Sequence, residues 1–296
     1  MVTFGFIKIF TKLRKINFLK YNYSKLSKRF GILLSIVAIT LLILAAGPYA
    51  AKKNRSQAVK TIVIDAGHGG KDPGALGKNA KEKTIALGIA MKLGKYIEDY
   101  LPDVEVIYTR KNDVFIELDE RAKIANRNNA DVFVSVHVNS TPEKVSKALG
   151  TETYVMGLHK NQSNLDLAIR ENSVIKFEED FETAYEGFDP ESDESYIIFD
   201  IYQSVFQKNS LDLAGRIQDQ FKNRVGRVNR GVKMAGLLVL WKTTMPSVLV
   251  EVGFITNPKE EEYISSERGQ ALIASGIFRA VRGYKNDVES LNTDDR

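Results

Sequence analysis

The nine residues DVFVSVHVN, 131–139, restrict the fold more than any other stretch of the chain. Val132, Val134, Val136 and Val138 alternate and so share one face of a strand, while Phe133 on the other face also needs cover. A strand buried on both sides belongs inside a mostly parallel sheet flanked by helices on both faces, an α/β fold. The surrounding sequence agrees, because β-rich and helix-periodic segments alternate from about residue 61 onward. Strands are predicted near 61–67, 104–109, 131–138, 150–156, 236–241 and 247–253. Ile85, Ile89, Leu93 and Ile97 recur every four residues and mark the inner stripe of one helix. A second helix is predicted over 118–128, and a third carries Leu211, Ala214, Ile217 and Phe221. The last begins at Asn257, where a capping residue, a first-turn proline and the acids Glu260, Glu261 and Glu262 coincide. Its pattern runs, with a break near Gly269, to about Tyr284.

Before this domain lies FGILLSIVAITLLILAAG, residues 30–47, which carries no charge and is just long enough to cross a bilayer as a helix. Lys8, Lys12, Arg14, Lys15, Lys20, Lys25, Lys28 and Arg29 precede it. The positive-inside rule then places a basic segment, 1–29, in the cytoplasm and exports everything after the span. The long basic region and the length of the apolar run favour an uncleaved transmembrane anchor over a signal helix that is removed. The implied location is the cell envelope, on the periplasmic or extracytoplasmic face, anchored to the inner membrane through 30–47. Residues 48–60 read as a linker, 61–285 as the folded domain and 286–296 as a polar tail. Only 158–209 break the alternation, with the acidic run FEEDFETAYEGFDPESDESY and a stripe at Ile198, Ile201 and Val205. This reads as an insertion over about 164–206.

Charge and cysteine content narrow the chemistry. The net charge of +5 misleads, since residues 1–60 hold twelve Lys and Arg and no acid, leaving 30 basic against 37 acidic residues in the remainder. Nucleic acid is therefore excluded as a partner of the folded part. With no cysteine in the chain, export brings no disulfide and any metal site must use histidine and carboxylate.

Two of the three histidines stand where strands should end. His68 follows the first strand in TIVIDAGHGG, with Gly67, Gly69 and Gly70 allowing a sharp turn, and His137 closes DVFVSVHVN. In open α/β sheets ligands gather at this carboxyl edge. Glu82 returns to it through the loop KDPGALGKN, and Glu251 lies inside the apolar strand SVLVEVGF. Two histidines and one carboxylate suit a zinc ion that keeps a position open, with the remaining carboxylate as base. Glu251 is the choice for base, because burying a glutamate costs several kcal/mol unless it is paired or functional. Simpler readings compete. The histidines could be loop residues that only hydrogen-bond, Glu82 a helix-dipole acid, and Glu251 the partner of Arg110 or Arg121. Asp65 either orients His68 or accepts backbone hydrogen bonds, and His159 reads as a surface or hinge residue. GHGGKDPGALG lacks the spacing of a phosphate loop.

Taken together, IVIDAGHGGKDPGALG, the glutamate after it, YTRKNDVFIELDERAKIANRNNADVFVSVHVN, GTETYV and LLVLWKTTMPSVLVEVGFITNPKEE resemble the zinc-dependent N-acetylmuramoyl-L-alanine amidases of the amidase type 3 family. The resemblance covers most of 61–284 in the family's order. It implies Zn2+ held by His68, Glu82 and His137, and Glu251 as the catalytic residue. It further implies hydrolysis of the amide joining N-acetylmuramic acid to L-alanine of the peptidoglycan stem, in cell-wall remodelling and daughter-cell separation. Arg110, Arg121 and Asn126 match the family's TR…L..R…AN stretch and are expected to have structural roles near the site. The long insertion departs from simple members. Some members hold a helix from such an insertion over the zinc until an activator protein displaces it, so the insertion is expected to be either a regulatory cap or a solvated decoration that shapes the substrate groove. Glu178, Glu179, Asp180 and Glu182 are too acidic for the core, and one of them is expected in the open zinc position. The alternatives are a non-catalytic peptidoglycan-binding or regulatory envelope protein and a zinc carboxypeptidase acting on the stem.

Overall fold

A computed structural model of the chain describes residues 58–158, 161–179, 181–185, 187–192, 195–196 and 206–294. The expected span at 30–47, the basic segment before it, His159, Asp180 and the stripe at Ile198, Ile201 and Val205 lie outside the described residues. Among the described residues no helix is long and apolar enough to cross a membrane.

The valine strand is buried at every position and lies third in a six-stranded sheet. In chain order the main elements are β1 (Thr61–Ala66), α1 (Glu82–Tyr100), β2 (Glu105–Tyr108), α2 (Leu118–Arg127), β3 (Val132–Asn139) and β4 (Thr151–Met156). There follow α3 (Gln162–Asn172), α4 (Phe181–Ala184), α5 (Gln207–Gln220), β5 (Asn229–Ala235), α6 (Leu238–Trp241), β6 (Ser247–Phe254), α7 (Pro258–Ser265) and α8 (Glu267–Asp294). The strand order is β2-β1-β3-β6-β4-β5. All pairs are parallel except β4 with β6, so the sheet is mostly parallel as expected.

Period-two alternation divides the core into two layers. Val132, Val134, Val136 and Val138 pack with Ile85, Ile89, Leu93 and Ile97 of α1, Ile217 of α5 and Ile273 of α8. Phe133, Tyr154 and Leu249 face the other way, onto Ile124 of α2, Leu165 and Ala168 of α3 and Val239 of α6. The segment read as an insertion thus completes the second helical layer, with α3 lying against β5.

Two elements differ from expectation. LLVLW, predicted as a strand over 236–241, forms the helical turn α6, and the strand beside β4 is instead NRGVKMA, β5. A short run buried on all sides has no period by which to tell a helix turn from a strand. An edge strand with one neighbour needs no apolar alternation, and its charges guard the free edge. The final helix breaks at Ser266 rather than near Gly269 and continues through Asp294, beyond Tyr284. Its predicted start is correct: the Asn257 side chain accepts from the amides of Lys259 and Glu260.

Candidate active site

Strand ends bring the four sequence-derived residues to one edge. The chain leaves β1 through Gly67 and enters the left-handed region at His68 (φ 60°), costly for a side chain other than glycine, with Gly69 and Gly70 also at positive φ. A Cβ at Gly67 would lie 2.5 Å from His137 Nε2, so the glycine is what lets the two imidazoles meet, with ring centroids 4.8 Å apart. Asp72 orients His68, its Oδ2 lying 2.6 Å from Nδ1. Glu82 is aimed by the backbone: Oε1 accepts from Val138 N at 2.7 Å and Oε2 from Ala75 N at 2.8 Å. The returning loop that delivers Glu82 is itself tied down by Glu261, whose Oε1 accepts from the amides of Asn79 and Ala80. His137 and Glu251 are register partners on adjacent strands.

A fifth residue that the sequence reading missed, Glu171, joins them. His68 Nε2, Glu82 Oε1, His137 Nδ1 and one Glu171 oxygen all lie within 4.8 Å of one another, and all four residues are buried. Glu171 Oε2 sits 2.9 Å from His137 Nδ1 and 3.4 Å from His68 Nε2. Glu82 Oε1 sits 3.2 and 3.1 Å from the same two nitrogens. Yet His68 Nε2, His137 Nδ1 and Glu171 Oε2 are buried without a hydrogen-bond partner. Donor atoms converging at this spacing without a hydrogen bond among them fit a cation, and two imidazoles with carboxylates suit zinc.

The electrostatics agree. Burial alone would depress the histidines, but Glu82, Asp72 and Glu171 hold His68 well above its ordinary range, and Glu171 and Glu82 raise His137 to about 9. Burial would raise Glu82, but His68 and His137 draw it down to about 2. The imidazoles are being asked to neutralise two carboxylates, a task for which a divalent ion is better suited.

Glu251 is buried with neither oxygen hydrogen-bonded, and burial, then the charges of Glu171 and Glu82, push its pKa well above the carboxylate range. It pairs with neither Arg110 nor Arg121. Arg110 donates to the carbonyls of Ala66, Gly67 and Lys83, and Arg121 to those of Ala66, His68 and Ile116 and to Asp65. Both arginines therefore brace the turn that carries His68. Asp65 does not orient His68, as it accepts from Arg121, Thr109 and Ser135. Asn126 fastens α2 to Lys242 and Thr244.

The cation nearest Glu251 comes from the insertion. Arg170 Nη2 lies 3.8 Å from Glu251 Oε1 and donates to Asn139 Oδ1 at 3.0 Å. Asn172 fastens the same helix to Gly236 O and Leu238 N. The acidic cluster behaves otherwise than expected. Glu178 is buried and caps α2, its Oε1 accepting from Leu118 N and its Oε2 from Tyr185 OH. Glu171, at the end of an ordinary amphipathic helix, is the carboxylate at the metal-type cluster.

A family model described as N-acetylmuramoyl-L-alanine amidase matches residues 62–283. N-acetylmuramoyl-L-alanine amidase AmiA of Escherichia coli K12 is 31% identical over 287 residues, 96% of this chain and 95% of the relative. An N-acetylmuramoyl-L-alanine amidase structure from Clostridium difficile 630 superposes with TM-score 0.57 at 28% identity, covering 77% of this chain and 98% of that one. The CwlD amidase from Clostridioides difficile, solved in complex with the GerS lipoprotein, superposes with TM-score 0.56 at 29% identity, with 77% and 98% coverage.

Proposed function

The chain belongs to the amidase type 3 family and is an N-acetylmuramoyl-L-alanine amidase, and we propose that it works with zinc held by His68, Glu82 and His137 and with Glu251 as its base. The observation that carries this reading is the convergence of buried, unpartnered donor atoms beside Glu251 at one sheet edge. Zinc at these donors would polarise the amide carbonyl and ease deprotonation of a water. Glu251 takes the proton released as water attacks the carbonyl carbon and passes it to the nitrogen of L-alanine as the C–N bond breaks. The products are the lactyl carboxylate on the sugar and a stem peptide with a free amine.

The insertion acts as a cap in this proposal. Glu171 takes the open position, and the adjacent Arg170 donates to Glu171 and stands 3.8 Å from Glu251, covering the base. Turnover then requires an activator protein that draws α3 away, a partner favouring the open state. The relative solved with a lipoprotein bound supports a protein-controlled amidase. The enzyme is placed outside the cytoplasmic membrane, held by 30–47, and serves wall remodelling and daughter-cell separation. Mass analysis of a muropeptide digest tests the reaction. Intact glycan plus free stem peptide is expected, whereas released terminal alanine means a carboxypeptidase and no product means a binder.

A further inference from the structure

The row of site residues does not stop at Glu251. Its register partner on β4 is Glu152, and Tyr154, two residues on, is paired with Lys233 of the edge strand β5. Glu152 is buried and fully satisfied. Its Oε2 accepts from Asn139 Nδ2 at 3.0 Å and Tyr154 OH at 2.7 Å. Its Oε1 accepts from Arg230 Nε at 2.7 Å and Lys233 Nζ at 2.6 Å. One buried carboxylate needs one cation. Two leave a net positive charge on the rim of the site.

The way Arg230 is held matters more than its charge. Its Nε is fixed on Glu152, and its guanidinium lies 4.9 Å over the ring of Phe254, which orients the plane. Among the described residues neither Nη1 nor Nη2 has a hydrogen-bond partner, and the side chain is 40% exposed, that of Lys233 20%. This leaves the edge of the fork that binds carboxylates bidentately open to solvent. From β6 to β5 is two strand spacings, roughly 10 Å, or about three residues of extended peptide.

We propose that Arg230 and Lys233, seated on Glu152, form a subsite for a free carboxylate of the stem peptide, on the second or third residue beyond the scissile amide. This rests on the amidase reading and adds a determinant of stem-peptide preference. Glu152 is a positioning residue in it, fixing both cations beside Asn139. The two cations bind substrate and take no part in the proton transfer.

The test is calorimetric titration of the zinc-loaded full chain in detergent, and of its Glu171→Ala variant, which removes the insertion's carboxylate from the cluster. The probes are synthetic stem tripeptides beginning with L-alanine, either with free carboxylates or fully amidated. The free acids are expected to bind roughly ten- to a hundredfold more tightly, the scale of a charge-assisted pair. Arg230→Gln and Lys233→Met should each reduce that preference and leave affinity for the amides unchanged. Arg230→Lys, which keeps the charge but lacks the fork, should restore only part. Equal binding of acid and amide by both proteins overturns the subsite, as does equal weakening toward both peptides in variants that melt normally. Muropeptide turnover by the same wild-type preparation is read separately, so a failed subsite and a failed amidase assignment give different results.

Discussion

Removing the Glu171 carboxylate should release the cap without unfolding it. Glu171 Oε2 lies 2.9 Å from His137 Nδ1 as a buried ionic contact with no hydrogen bond formed. Losing its interaction with a charged partner should cost on the order of 1.5–3 kcal/mol. The rest of the insertion keeps its own attachments through Asn172, Glu178 and Tyr185. Glu171→Ala should therefore weaken docking of α3 by about that amount, raising the open population roughly ten- to a hundredfold while it remains the minor state. Basal release of dye-labelled fragments from purified peptidoglycan, measured with no partner protein, should rise by the same factor. Zinc content measured in parallel should stay at one ion per chain, since His68, Glu82 and His137 remain. Replacing about 164–206 with a short Gly/Ser linker should raise basal hydrolysis as well. Unchanged or lower hydrolysis by a folded, zinc-loaded Glu171→Ala variant would refute the cap and leave the insertion as a wall of the substrate groove.

Glu251→Gln should bind zinc and melt normally yet lose about 10²- to 10⁴-fold in turnover, the usual contribution of a positioned acid or base; near-normal turnover would remove Glu251 from the chemistry. His137→Ala deletes one of two nitrogen donors and should sharply lower metal content by atomic absorption, so stoichiometric zinc in the same site would disprove the ligand set. Arg121→Leu strands the buried carboxylate of Asp65 and should cost about 3–5 kcal/mol in urea unfolding, against less than about 1 kcal/mol if the arginine is a bystander. Burial would raise the pKa of Asp65, but Arg121, Ser135 and Thr109 bring it below its ordinary 3.8. The stability this confers is present above that value and is lost as pH falls through the lower, folded one. The stability gap between wild type and Asp65→Asn should therefore be flat near neutrality and narrow only in acid, and a gap that widens on acidification would contradict the assignment.

Much of this molecule is legible in its residue order because the signals are local. The alternating valines of β3 demand cover on both faces, the four-residue stripe of α1 presents one inner face, and Asn257 with Pro258 starts α7 through hydrogen bonds a few atoms long. His68, His137 and Glu251 could be singled out because each sits where a strand ends or where a charge interrupts an apolar run, and Glu82 because it opens a helix just after a returning loop. What escaped were features that depend on distant partners. LLVLW is apolar throughout and buried from Leu237 to Leu240, so it carries no period, and β5 reads as a loop because an edge strand needs no apolar face. Glu171 looks like any polar residue on an amphipathic helix, and only the docking of α3 against β5 brings it to His137 and sets Arg170 beside Glu251. The residue order carried five of the six strands, most of the helical cover, and the residues His68, Glu82, His137 and Glu251 that meet at one edge. Tertiary packing alone decided which carboxylate completes the cluster, because that depends on how a helix rests on the sheet, a matter of shape and burial between segments far apart in the chain.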